Sequence, residues 1–249
     1  MKSFATNCLG IILFLTVWQL AGARSGEAML ATPLASATAL LQTLREGALW
    51  SALGALLGQM LLGYVAALVV GIPLGIAVGR LRSVAAIVQP WAAMLVVVSA
   101  AALVPLLIIV LGRGIVFMTV VVFAASVWYV VLTISQAAQD VSPRLLAVAR
   151  VYDASPTQRF RYVVLPALYP YVMIALRIGF VHALRAAVTA EMFISAGFGG
   201  LLNDAGLDLS TAGLFALIAV LMALSLGATG LMRLIAGRTA PWYASRSAG

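Results

Sequence analysis

The sequence predicts an all-α, polytopic membrane bundle of about six transmembrane helices with a cytoplasmic two-helix loop at residues 142–166. Hydrophobic residues make up 64% of the 249 residues and charged residues only 9%, whereas soluble domains are about half apolar and a quarter charged. The apolar residues also gather in runs that can cross the ~30 Å core of a bilayer as helices. We therefore expect one membrane domain over residues 1–249.

Six apolar runs are candidate spans. They are residues 8–23, 52–78, 84–111, 115–137, 169–196 and 212–236. The first run is short and ends at Ala21-Gly22-Ala23, so a cleaved signal peptide is the alternative to a retained span. The third run contains Pro90 and Pro105. Within the second run, Gly71-Ile72-Pro73-Leu74-Gly75 places helix breakers inside a span. Such breakers are tolerated where neighbouring helices satisfy the freed backbone groups, so they predict a packed bundle interface.

The basic residues predict the orientation. If the N-terminus is cytoplasmic and all six runs cross, three arginines fall outside and ten basic residues fall inside. The outer residues are Arg24, Arg45 and Arg113; the inner ones are Lys2, Arg80, Arg82, Arg144, Arg150, Arg159, Arg161, Arg233, Arg238 and Arg246. Cytoplasmic loops carry the excess of Lys and Arg. Both termini and the loop at 142–166 are therefore predicted to be cytoplasmic, and the net charge of +8 needs no nucleic-acid partner.

Several kinds of chemistry are excluded. The single cysteine, Cys8, excludes an intrachain disulfide and a cysteine-rich metal site, and we expect it to be a small buried side chain. The single histidine, His182, does not make a metal site. Because Lys2 is the only lysine, the chain lacks the Gly-Lys-Ser/Thr of a phosphate-binding P-loop. No nucleophile and base share a face, so we expect no enzymatic activity.

A short amphipathic segment precedes the second span. Thr32 and Pro33 are typical of a helix start, and Gly47 of a stop. Apolar residues recur on one helical face at Leu34, Ala37, Leu41 and Leu44. The segment is either a short helix on the outer surface or a lead-in to the second span.

The polar loop between the fourth and fifth spans predicts two short helices. Ser142-Pro143 starts the first, with a capping hydroxyl followed by a proline. Its apolar stripe is Leu145, Val148, Ala149 and Tyr152. Asp153-Ala154 interrupts the helix, and Ser155-Pro156 with Gln158 predicts a capping box that starts the second. Leu165-Pro166 is expected to end it. Either the stripe folds back on the spans or another protein covers it.

This loop resembles the EAA loop of permease subunits of bacterial ABC importers, whose pattern is Glu-Ala-Ala, three residues, Gly, nine residues and Ile-x-Leu-Pro. The matching positions are Ala147-Val148-Ala149, Asp153 and Val163-x-Leu165-Pro166; Pro143 to Arg150, Leu176-Arg-Ile and Ala190-Glu-Met192 resemble the nitrate/sulfonate/taurine branch. The resemblance runs from Pro33 through the sixth span. Ala147 replaces the family glutamate and Asp153 the glycine, although aspartate tolerates a left-handed turn.

The resemblance implies that the loop is a coupling helix inserted in a groove of a separate ATPase subunit. The implied ATPase-coupling residues are Leu145, Val148, Ala149, Tyr152, Asp153, Ala154, Ser155, Gln158 and Phe160. Implied partners are two ATPase copies, a second permease copy forming a homodimer, an extracytoplasmic substrate-binding protein and membrane lipid. ATP and Mg²⁺ would be bound by the ATPase, with no cofactor in this chain. The implied location is the bacterial inner membrane.

Ionisable residues inside the fifth span are candidates for a translocation path. A charge at the bilayer centre costs about 2.5–3.5 kcal/mol on insertion scales, so such residues face protein or water. His182, Arg185 and Glu191 are predicted to line a path for an anionic solute. The resemblance of Ala190-Glu-Met192 to the family pattern implies a structural or gating role for Glu191. The alternative for the arginines is pairing with backbone carbonyls, and Arg177 is expected to snorkel to the cytoplasmic face.

Together these features predict a permease subunit that moves a small anionic solute, similar to a sulfonate, nitrate or taurine, into the cytoplasm by alternating access. The alternative is a secondary transporter or channel that uses Arg185 and Glu191 for ion coupling. The glycine-rich residues 197–200 follow a span and are therefore not a nucleotide loop. As an outer-side turn they are a candidate contact for a substrate-delivery protein.

Overall fold

The computed structural model describes residues 2–26 and 29–239. These ranges contain helices and no strand, which confirms the predicted all-α class. The helices are α1 (Lys2–Ser25), α2 (Pro33–Arg45), α3 (Gly47–Arg80), α4 (Arg82–Leu95), α5 (Ala100–Leu111), α6 (Ile115–Gln139), α7 (Pro143–Val151), α8 (Pro156–Arg159), a π-helical turn (Phe160–Val164), α9 (Leu165–Ile194), α10 (Gly197–Leu207) and α11 (Thr211–Thr239). The side chain of Cys8 and the whole of Arg246 lie outside the described residues.

Four helices of the described ranges are long and apolar enough to cross a membrane. They are Gly47–Arg80, Ile115–Gln139, Pro156–Ile194 and Thr211–Arg238. A fifth crossing results if α4 and α5 form one broken span, and the apolar part of α1, Leu9–Ser25, is shorter than a span. The polytopic helical bundle is confirmed, with four or five crossings by length and composition against about six predicted.

The third predicted span is not a single helix. Helices α4 and α5 meet at an angle of 98°, and the break is at residues 96–99 rather than at a proline. Pro90 and Pro105 both lie inside helices. Val96-Val97-Val98 is a run of β-branched residues with reduced helix propensity. Ser99 then takes an extended conformation (φ −66°, ψ 136°) before α5 begins. The candidate span over 84–111 is therefore two helices joined by a sharp bend rather than one continuous helix.

The predicted helix end at Leu165-Pro166 is also wrong. The backbone runs without interruption from α8 through the π-helical turn into α9. The Leu165 N–H donates to the Phe160 carbonyl, five residues back. In a regular α-helix the Pro166 ring would clash with the carbonyl of Tyr162. Because Tyr162 belongs to the wider π-helical turn, this clash is avoided and the helix continues past the proline.

The described residues form two compact units. The first comprises the described residues up to Leu56 together with Glu191–Leu226, and the second comprises Leu57–Ala190 and the described residues from Gly227 onwards. In the second unit, α3, α6 and α9 share a core in which Val130, Ile134 and Ala175 are buried. The Tyr64 hydroxyl of α3 donates to the Leu176 carbonyl of α9 at 2.7 Å.

Glycines on α3 bring its backbone against α6 in the second unit. A Cβ at Gly71 would lie 2.9 Å from a Val130 methyl, and one at Gly75 would lie 2.8 Å from both the Ile134 Cβ and the Val131 carbonyl. Gly63 and Gly79, at spacings that are multiples of four, meet α6 equally closely. The helix interface predicted from the glycines at 71 and 75 is confirmed, and it follows the small-xxx-small pattern of membrane helix pairs.

We expect Gly75→Ala to destabilise the protein. The new Cβ would overlap α6, and overpacking costs about 1–3 kcal/mol, which corresponds to a melting temperature lower by about 5 °C. The measurement is thermal unfolding of the purified protein in detergent. Gly58→Ala is the control on the same helix, because a Cβ there meets no atom within 4 Å. Equal melting temperatures for the two variants would contradict the packing.

The first unit contains the predicted amphipathic helix. Thr32 caps α2 by accepting a hydrogen bond from the Ala35 N–H at 3.2 Å, and Pro33 is the first helical residue. The Trp18 indole donates to the Ala31 carbonyl at 3.0 Å and its ring packs on Phe215. The separate α2 helix is confirmed, but it ends at Arg45 and Gly47 begins α3 rather than stopping α2.

Candidate functional site

The turn between α7 and α8 is closed by a Schellman motif. The Asp153 N–H donates to the Arg150 carbonyl and the Ala154 N–H to the Ala149 carbonyl, both at 3.0 Å. Asp153 occupies the left-handed position of this motif (φ 53°), where glycine is the usual residue. The prediction that Asp153 takes the turn of the family glycine is confirmed.

The start of α8 follows its predicted cap. The Ser155 N–H donates to Gln158 Oε1 at 2.8 Å and the Gln158 N–H donates to Ser155 Oγ at 3.3 Å, which is a complete capping box. At the start of α7, Pro143 is the first helical residue as predicted. The Ser142 hydroxyl, however, makes no capping hydrogen bond, so that part of the prediction is wrong.

The apolar stripe of α7, formed by Leu145, Val148, Ala149 and Tyr152, faces outwards. Leu145 and Val148 are about half exposed, and Tyr152 is 81% exposed. A different face holds α7 in place, since Leu146 packs on a core that includes Val141 and Leu168. The stripe is therefore left free for a partner.

Four residues of the predicted coupling set line two separate grooves, and the others lie outside both. Leu145, Val148 and Ala149 line a shallow groove of about 420 Å³ with Tyr162 and Val163. Phe160, which is 39% exposed, lines a separate groove with Leu146 and Arg150. Asp153, Ser155 and Gln158 are exposed, and Ala154 is half-buried.

A cavity of about 240 Å³ lies at the break between α4 and α5 in the second unit. We call it the membrane cavity; its lining residues are Val96–Ala101 from the break and the start of α5, Ala125 and Tyr129 from α6, and His182, Arg185, Ala186 and Thr189 from α9. Two of the three predicted path residues, His182 and Arg185, are thus brought together.

Tyr129 connects the three parts of the membrane cavity. Its ring stacks on the His182 imidazole with centroids 3.4 Å apart and planes 13° apart. Its hydroxyl donates to the Val96 carbonyl at the break, at 3.3 Å. This contact satisfies a carbonyl that the break leaves outside a regular helix. Sequence reasoning missed Tyr129, because an aromatic residue within an apolar run gives no signal of its partners.

The electrostatics of the membrane cavity favour an anion. The backbone at Ala100 and Ala101 is the first turn of α5, where N–H groups have no partner within the helix and the helix dipole is positive. The Arg185 guanidinium is part of the same lining, and no Asp or Glu is among the described residues that line it. A small oxyanion in this cavity would meet positive charge and hydrogen-bond donors.

Glu191, the third predicted path residue, is buried at the start of α10. Its side chain is 2% exposed, and Oε2 accepts a hydrogen bond from the Gly199 N–H at 2.9 Å. The N-cap residue Ala196 provides no side-chain cap, so the carboxylate takes over that role. The predicted turn at residues 197–200 is wrong, because these residues form the first turn of α10; their place on the outer side stays a prediction.

The carboxylate of Glu191 requires a glycine at position 197. Gly197 has a positive φ of 58°, and a Cβ there would lie 2.6 Å from Glu191 Cδ. We expect Gly197→Ala to destabilise the protein by at least about 1–2 kcal/mol, the cost of a left-handed backbone with a side chain. Thermal unfolding in detergent measures this. Gly206→Ala in the same helix, where a Cβ meets nothing within 4 Å, is the control, and a Gly197→Ala protein as stable as this control would contradict the cap.

Arg177 differs from Arg185 in its surroundings. Its Nε is buried and has no hydrogen-bond partner among the described residues, so that nitrogen does not pair with a backbone carbonyl. Snorkelling of the guanidinium to the cytoplasmic face stays a prediction.

Comparison with known proteins identifies the family. A family model described as "binding-protein-dependent transport system inner membrane component" matches residues 71–241, which is more than half of the chain. The chain belongs to this family. It is therefore a permease component of an ABC transporter and a multi-pass protein of the inner membrane.

Three relatives place the permease in the predicted branch. The taurine transport system permease protein of Escherichia coli is 29% identical over 207 residues, which are 81% of this chain and 74% of the relative. The nitrate import permease protein of Synechocystis is 32% identical over 150 residues, 60% of this chain and 54% of the relative. The bicarbonate transport system permease protein of Synechococcus elongatus is 28% identical over 198 residues, 75% and 70% of the two chains. The nitrate/sulfonate/taurine branch is confirmed.

Proposed function

We propose that this permease imports a small oxyanion, of the class that contains sulfonates, nitrate and bicarbonate, into the cytoplasm. The observation that carries the proposal is the membrane cavity, which combines the Arg185 guanidinium with the start of α5 in a volume of about 240 Å³. That volume is below the ~300–1,000 Å³ typical of sites for drug-sized ligands. The names of the three relatives support the proposed substrate class, because taurine carries a sulfonate and the other two solutes are inorganic anions.

The permease works as a homodimer with two ATPase subunits, which bind ATP and Mg²⁺ and carry out hydrolysis, and with an extracytoplasmic substrate-binding protein. The exposed stripe of Leu145, Val148, Ala149 and Tyr152 supports the contact with the ATPase, since an exposed apolar patch marks a protein contact; the other partners follow from the family. Closure of the ATPases moves the α7–α8 loop. Because the helix from Pro156 to Ile194 is unbroken, this motion also reaches the wall of the membrane cavity.

Both termini lie on the cytoplasmic side, with the α7–α8 loop. The distribution of Lys and Arg supports this orientation. Ion coupling by Arg185 and Glu191 in a secondary transporter is not favoured, because the family is one of binding-protein-dependent transport.

The substrate class is tested by uptake into proteoliposomes that contain the permease, its ATPase and its binding protein. Radiolabelled taurine, nitrate and bicarbonate, which all carry an oxyanion group, are compared with a neutral and a cationic solute of similar size that lack one. We expect ATP-dependent uptake of at least one of the three solutes with an oxyanion group and of neither solute without it. Uptake confined to the solutes without an oxyanion group would overturn the substrate class and leave the family assignment intact.

A further inference from the structure

A second groove in the second unit combines an apolar wall with three arginines. We call it the arginine groove. It has a volume of about 770 Å³ and lies between the end of α3, helix α7 and the π-helical turn. Its apolar wall includes Ile76, Ala77 and Val164, and its charged part is formed by Arg80, Arg150 and Arg159. No Asp or Glu is among the described residues that line it.

The position of the charges matches the depth of a lipid headgroup. Arg80 is the last residue of the long apolar helix α3, so it lies where a span leaves the hydrocarbon. Pro73, also in the lining, lies seven residues earlier and therefore about 10 Å deeper along the helix. The groove thus extends from a cationic mouth into the apolar layer.

Two of the arginines have hydrogen bonding that suits an anionic ligand. The Nε of Arg159 is buried and has no hydrogen-bond partner among the described residues, although a buried donor normally has one. Arg150 donates from Nε to the Leu146 carbonyl at 3.4 Å, which holds its side chain along α7. The π-helical turn supplies Phe160 to the same groove, and such turns are frequent at functional sites.

We propose that the arginine groove binds an anionic phospholipid. The phosphate lies on Arg80, Arg150 and Arg159, and an acyl chain lies along the apolar wall of α3. Basic pockets between membrane helices bind anionic headgroups by the same combination of charge and depth. Leu146, which packs α7 on the core, also lines the groove, so lipid occupancy would stiffen the base of the α7–α8 loop.

Native mass spectrometry of the full chain in detergent tests the headgroup part. Phosphatidylglycerol and phosphatidylcholine are added in equal amounts to the wild type, to Arg80→Gln/Arg159→Gln and to Arg144→Gln/Arg161→Gln. The last variant is the control, because it loses the same charge from exposed arginines outside the groove. We expect a preference of at least about tenfold for phosphatidylglycerol, kept in the control and lost in the groove variant. Equal binding of both lipids, or equal loss in both variants, would overturn the proposal.

Three further measurements test the acyl-chain part and separate the lipid from other occupants. Ala77→Phe, which narrows the apolar wall and keeps every arginine, should lower phosphatidylglycerol binding; unchanged binding would overturn the acyl-chain part. Glycerol 3-phosphate at equal concentration should not displace the lipid, and full displacement would point to a free phosphate site instead. The lipid should also remain bound after the ATPase is added. Its loss would assign the groove to the ATPase. None of these readouts depends on solute transport, so the substrate proposal can fail independently.

Discussion

Tyr152→Arg should abolish recovery of the ATPase with the permease while the protein still inserts into the membrane. Tyr152 is the most exposed residue of the apolar stripe of α7, at 81%, and a buried aromatic anchor at an interface contributes about 2 kcal/mol or more. Placing a guanidinium there removes the apolar contact and buries a charge. We therefore expect the amount of co-purified ATPase to fall by at least about thirtyfold.

Thr157→Arg is the matched control for this experiment. It adds the same charge at another exposed position of the loop, outside the apolar stripe of α7. The control should retain most of the ATPase, and both variants should fractionate with the membrane in wild-type amounts. ATPase recovery that survives Tyr152→Arg would show that another face of α7 makes the contact.

Arg185→Gln should remove ATP-dependent uptake while leaving the complex with the ATPase intact. Arg185 contributes the only full positive charge to the described lining of the membrane cavity, and a hydrogen bond to a charged group contributes about 1.5–3 kcal/mol. Uptake at limiting substrate should therefore fall by about 10- to 100-fold. The measurement is initial uptake in proteoliposomes, with ATPase recovery as the check on assembly.

Arg185→Lys and Arg113→Gln make this test specific. Lysine keeps the charge but not the fork of donors, so Arg185→Lys should transport better than Arg185→Gln and less well than the wild type. Arg113→Gln removes an arginine that does not line the membrane cavity and should transport normally. If Arg185→Gln takes up substrate at the wild-type rate, Arg185 is not part of the substrate path.

Local rules predicted much of the fold because the residues concerned act within a few positions of the chain. Thr32 and Ser155 cap their helices as expected, since a cap depends on neighbouring backbone groups. The αL turn at Asp153 was predictable for the same reason. The glycines at 71 and 75 were correctly assigned to a helix interface, although the sequence did not identify α6 as the partner.

The errors arise where tertiary contacts decide the outcome. Prolines suggest where a helix ends, yet Pro166 is accommodated by a π turn and the bend between α4 and α5 avoids both nearby prolines. That bend is supported by the hydroxyl of Tyr129, 33 residues away in sequence. Likewise, the sequence placed Glu191 in a charged span, but only the fold shows its carboxylate capping α10. Long-range partners of this kind leave no periodic signal.

The proposed complex of this permease with a separate ATPase subunit is tested most directly by co-purification of the full chain with that ATPase. Both are expressed together, the permease is isolated through an affinity tag, and the native mass of the complex is measured. We expect a stable complex of two permease and two ATPase copies, which Tyr152→Arg dissociates and Thr157→Arg preserves. A permease that is isolated alone, properly inserted and without any bound ATPase, would contradict it.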